Sequence, residues 1–154
     1  MAIRVPRSSL KWSFLVLAFF VGMFFLFFGS QDSNKEKNAK QFSRSSNIND
    51  YAFADILTIT PHTATAENGK RSYSGFFCTC ETVNGKEINI YISVIDFKTN
   101  IDSSKDWYYI IPDKVVFDTP LRILGRVTTY NNIIKDSKDN SRILRFDKIV
   151  TLTN

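Results

Sequence analysis

The chain has 154 residues, a formal net charge of +5, two cysteines and one histidine. Two cysteines are too few for a disulfide framework, and the lone His62 excludes a site built on a histidine pair. The charge is unevenly placed: residues 1–50 carry seven Lys/Arg against three acids, whereas residues 51–154 carry thirteen against twelve. An electrostatic footprint for DNA or RNA belongs on the folded part, which is close to neutral, so nucleic acid is disfavoured as a partner.

Residues 1–11 form a basic flank, with Arg4, Arg7 and Lys11 and no acid. Trp12 to Phe28 then holds seven of the fourteen phenylalanines and no charge. As a helix this run spans roughly 25 Å, at the short end of what crosses a bilayer core. The expected reading is an N-terminal transmembrane helix that anchors the chain in the lipid bilayer. The positive flank keeps the N-terminus inside a bacterial cytoplasmic membrane and sends the remainder outside. A cleaved signal peptide is the rival, but cleavage after Ser30 would put bulky Phe28 at the −3 position. No cysteine directly follows the run, which excludes a lipoprotein. Residues 29–49 are rich in Ser, Asn, Gln and Lys, with Phe42 the one aromatic. They read as a flexible linker with a root-mean-square span of roughly 25 Å.

Residues 50–154 make one domain. Asp50–Thr60 is ambiguous: Asp50 suits a helix cap, while Leu57-Thr58-Ile59-Thr60 has strand character. Pro61 should end either element, leaving 61–71 as a loop. From Tyr73 onward the pattern alternates with period two. Phe76, Cys78, Cys80 and Thr82 share one face, opposite Phe77, Thr79 and Glu81. Asn84-Gly85 suits a type I′ turn, and Ile88, Ile90, Ile92 and Val94 line one face of the returning strand. Asp102 or Ser103 should cap a short helix through Tyr109, stopped at Pro112. Pro120 opens a further strand with Leu121, Ile123, Gly125, Val127 and Thr129 inward and Arg122, Arg126 and Thr128 outward. Gly125 in mid-strand predicts a bulge or corner. A polar loop at 136–140 leads to a last strand with Leu144, Phe146, Val150 and Leu152 on one face, interrupted by Lys148.

A tight hairpin, a short helix and two more strands, the first with a central glycine, suit a small Greek-key barrel. On residues 74–82, 87–97, 102–111, 121–129 and 143–152 the chain resembles membrane-anchored bacterial proteins of the oligonucleotide/oligosaccharide-binding (OB) fold. The resemblance implies a mainly-β, OB-like barrel with one short helix behind the anchor. One anchored family of similar layout, the haem chaperone of cytochrome c maturation, attaches haem through a His with a Tyr four residues on. This chain has no His after His62, so that activity is not implied and no cofactor is expected.

Cys78 and Cys80 fall on one strand face about 7 Å apart, too far for an unstrained disulfide, and read as small core residues. His62 reads as a solvated loop histidine. Asp96, Asp102, Asp106, Asp113 and Asp118 suit caps and turns, and no nucleophile–base pair or Gly-rich phosphate loop stands out. No enzyme and no metal site is expected. The best functional candidates are Tyr91, Trp107, Tyr108, Tyr109 and Tyr130, with Arg122 and Arg126. Such residues can stack a ring or contact a protein, or else plug the barrel end. The expected function is a non-enzymatic, membrane-anchored interaction module, an accessory subunit of a bacterial envelope assembly with a protein partner. The alternative is an extracytoplasmic module binding a glycan, an oligonucleotide or a small anion.

Overall fold

A computed structural model describes residues 16–21, 23, 33–66 and 69–151. The chain divides into two compact units, Met1–Asn38 and Ala39–Asn154. In the first unit, residues 16–21, 23 and 33–38 are helical. The basic flank and most of the Trp12–Phe28 run lie outside the described residues. No helix among the described residues is long and apolar enough to cross a membrane.

The second unit is mainly β. Its elements are β1 (Lys40–Gln41), β2 (Tyr51–Ala66), β3 (Tyr73–Thr82), β4 (Glu87–Ser93), α1 (Val94–Asn100), β5 (Val115–Thr129), α2 (Tyr130–Ile133) and β6 (Arg142–Ile149). The six strands form one mixed sheet in the order β1-β2-β3-β4-β6-β5. The long β2 also pairs with β5 through Tyr51–Ile59, so the five strands from β2 to β6 close a ring. β4 and β6 run parallel, as do β1 and β2, and the other pairs are antiparallel. Inside the ring lie Ala52, Ala54, Ile56, Ile59, Phe76, Cys78, Cys80, Ile90, Ile92, Ile123, Val127, Leu144 and Phe146. The period-two pattern in β3, β4, β5 and the first part of β6 thus falls on the expected faces; β6 ends at Ile149, so Val150 lies beyond it and Leu152 falls outside the described residues.

Several expectations are corrected. Strand β2 does not stop at Pro61 but continues to Ala66. Its register with β3 shifts between Pro61 and Thr63, leaving His62 as the extra residue of a bulge, where a sheet tolerates proline. The Asn84-Gly85 hairpin is not the two-residue type I′ turn, because among these residues only Gly85 has positive φ, at 71°. Thr82 N–H donates to Lys86 O and Gly85 N–H to Thr82 O, which makes a three-residue loop ending in a left-handed glycine. The helix forms at Val94–Asn100, not from Asp102. Ser93 Oγ accepts the Asp96 N–H at 3.0 Å and donates back to its carboxylate at 2.6 Å, closing a box around the first turn. Val94 and Phe97, three apart, then bury one helix face. Strand β5 starts at Val115, ahead of Pro120. Gly125 does mark a bulge, with the β5–β6 register shifting between Leu124 and Gly125.

Residues 39–49 are not free linker. Lys40 and Gln41 pair with Ala52 and Phe53, and Phe42 is buried in the core cluster. Asn49 N–H donates to Val127 O, and Arg142 Nε to Ser46 O. Phe42 packs into the core cluster beside β2, and that burial draws in the polar residues around it.

Candidate binding face

Seven residues stood out as site candidates, and the structure separates them into three places. Trp107 belongs to the core: it is 2% exposed, its ring meets Phe97 edge-on at 5.9 Å, and its Nε1–H donates to Asp102 O at 2.7 Å. Tyr108 is half-buried, with Lys98 Nζ 5.4 Å from its ring centre and its carbonyl taken by Tyr73 N–H. Tyr109 is exposed. With Ile110, Ile111 and Val116 it forms a set of four exposed apolar side chains, 42–67% accessible.

Arg122 is committed elsewhere. Its Nε and Nη2 donate to the two Asp55 oxygens at 2.7 and 2.8 Å, and its guanidinium lies 4.4 Å from the Phe53 ring centre. That hydrogen-bonded carboxylate raises the guanidinium pKa further and keeps the pair closed.

Tyr91, Tyr130 and Arg126 converge with residues that the sequence did not single out. Strand register puts Thr63, Phe77, Tyr91, Arg145, Arg126 and Tyr51 in one row around the ring, each the Cα partner of the next. Their chain neighbours Phe76, Cys78, Ile90, Ile92, Leu144, Phe146 and Val127 point into the core, so the row faces outward. Phe77 is the hub. Its ring lies 5.0 Å from that of Tyr91 and 4.5 Å from that of Tyr130, and these rings bury it on an otherwise outer face.

Tyr91 lies down along β3. Its hydroxyl and Cζ occupy the space that a Cβ on Gly75 would need, and its Oη is 3.1 Å from Thr65 Oγ1. Thr65 also meets Ser74 Oγ at 2.9 Å, so a hydroxyl network fixes the end of the ring. A half-buried phenol held at its hydroxyl end can serve as a platform for a ring. Next to it His62 Nε2 contacts Thr79 Oγ1 at 2.9 Å, and Thr79 donates to Asn89 Oδ1 at 3.3 Å.

Chemically reactive groups lie elsewhere or are quenched. Cys78 and Cys80 are free and buried, and burial pushes both thiols upward in pKa, with Cys80 adding to the shift at Cys78. Among the described residues no group of three His, Cys, Asp or Glu is placed to hold a metal ion.

Comparison with family models, curated proteins and solved structures found no match for the chain. The reading of this face rests on its own geometry.

Proposed function

We propose that this protein is a non-enzymatic interaction module, tethered to a bacterial cytoplasmic membrane and serving as an accessory subunit of an envelope assembly. The tether is the Trp12–Phe28 run. Its support is the uncharged sequence, the basic flank, and the exposure of Leu17, Phe19 and Phe20 at 63–67%. The folded part is read as an OB-like Greek-key barrel. Support comes from the ring order, the parallel β4–β6 pair, and α1 between β4 and β5.

The observation that carries a protein partner is the exposure of four apolar side chains close together in the chain, Tyr109, Ile110, Ile111 and Val116, which we read as an apolar ledge. Four exposed apolar side chains within eight residues are more than scattered surface apolars, and such patches mark contact surfaces. Cross-linking the full-length protein in its membrane, followed by mass spectrometry, tests the reading. A reproducible envelope partner that is lost in Ile110→Ser/Ile111→Ser supports it. Recovery of the chain alone sinks it.

A second reading is favoured by the row through Tyr91, Arg145 and Arg126: an extracytoplasmic module that binds a small ligand on its outer face. Here Tyr91→Ala removes ligand binding and leaves the cross-linked assembly intact.

A further inference from the structure

Arg126 and Arg145 are direct Cα partners on antiparallel β5 and β6, so their side chains leave the sheet side by side. Both are exposed, and neither has an ion-pair partner among the described residues. The acids nearest by register and sequence, Asp50 beside the Arg126 partner Tyr51 and Asp147 two residues beyond Arg145, form no salt bridge with either. Like charges directly opposite on neighbouring strands work against pairing. The fold gains nothing from this juxtaposition, whereas two forked guanidinium groups suit one incoming anion.

Tyr91 adjoins the pair, being the parallel Cα partner of Arg145. One strand spacing separates the Cα atoms of each neighbour, so Tyr91, Arg145 and Arg126 span roughly 10 Å at the backbone, with the Tyr91 ring over Gly75 at the far end of that span. A ligand that uses both must carry a flat or apolar ring face and a negative group on or next to that ring. The domain as a whole has thirteen basic residues against twelve acids over 51–154. That balance does not suit a continuous phosphodiester tract, which needs a long basic track. It suits about one charge per ring.

We propose that this row binds an anionic glycan, with a sugar ring lying on Tyr91 and its acidic group bridging Arg126 and Arg145. The proposal rests on the ligand-binding reading and narrows it to one chemical class. Phe77, itself packed against Tyr130, holds the platform in place, and Gly75 leaves room for the Tyr91 phenol.

The test is titration of the full-length protein, in detergent micelles, with three probes followed by calorimetry. These are tetragalacturonate, the uncharged cellotetraose, and inorganic tetraphosphate. Expected is binding of tetragalacturonate, weakened about tenfold in each of Arg126→Gln, Arg145→Gln and Tyr91→Ala, a loss of the size of one charged hydrogen bond or ring contact. The two arginine variants change exposed side chains, so they report on binding even where Tyr91→Ala loses stability. Equal binding of cellotetraose would overturn the role of the arginines. Equal binding of tetraphosphate would overturn the role of the ring. In both cases ligand binding itself survives, whereas silence with all three probes removes proposal and reading together.

Discussion

Arg126 and Arg145 face each other across adjacent strands as a like-charged pair with no acid between them. Repulsion in such a pair costs a few tenths of a kcal/mol, and an opposite charge at one position returns a contribution of similar size. Arg145→Glu is therefore expected to unfold at slightly higher urea than the natural chain, by up to about 0.5 kcal/mol. The same change should abolish tetragalacturonate binding. A stabilised variant that has lost a ligand separates binding from folding. Lower stability would show that the arginines serve the fold.

Gly75 and Tyr91 form the second testable pair. A Cβ on residue 75 meets the Tyr91 phenol and the Ile92 carbonyl oxygen, the latter 2.9 Å away. Gly75→Ala should cost about 1–3 kcal/mol in urea denaturation, the usual range for overpacking. Part of that cost should vanish when Tyr91 is already alanine, because only the Ile92 contact then remains. A double-mutant cycle measures it. Additive costs would show that the ring does not lie over Gly75.

Phe42 shows how far the sequence could be read. The alternation in β3 to β6 is local and was legible, as was the bulge at Gly125. Phe42 sits alone among polar residues, and no periodicity marks it as core. The helix lies outside what the local pattern indicates because Ser93 to Asp96, a capping box in outline, continues a clean strand pattern without a break. The outer row was illegible for another reason. Arg145 gains meaning only when β6 pairs with β4 and β5, and register between distant strands is absent from any local pattern. Phe42→Ala should destabilise the domain by about 2–4 kcal/mol, somewhat under the cost at a fully buried site. A loss below about 0.5 kcal/mol, ordinary for a surface change, would return 39–49 to the status of linker.

Cys78 and Cys80 give a pH prediction. Both native thiols are pushed above their ordinary value of 9.0, mainly by burial. The unfolded chain can ionise them once pH exceeds 9.0, but the native protein resists. Their contribution is fully present below pH 9.0 and is lost progressively as pH rises above it. The natural chain should thus lose more stability between pH 8 and pH 10 than Cys78→Val/Cys80→Val. Iodoacetamide at pH 8 should modify neither thiol in the native state and both in urea. Native labelling would mean that the thiols are not enclosed.

Trp107 and Tyr109 stand two residues apart with opposite exposure, and substituting them separates scaffold from the proposed contact surface. Trp107 is enclosed, packs on Phe97 and donates to Asp102 O, so it fixes the connection between α1 and β5 from inside. Trp107→Ala should cost about 3–5 kcal/mol and impair every property of the domain together. Tyr109 is 64% exposed, and Tyr109→Ala should leave stability within about 0.5 kcal/mol. If the ledge meets a protein partner, Tyr109→Ala reduces cross-linked partner recovery with an unchanged urea midpoint and unchanged tetragalacturonate binding. If partner capture persists in Tyr109→Ala but falls in Arg145→Gln, the contact surface is the outer row, and the ledge is only exposed apolar surface.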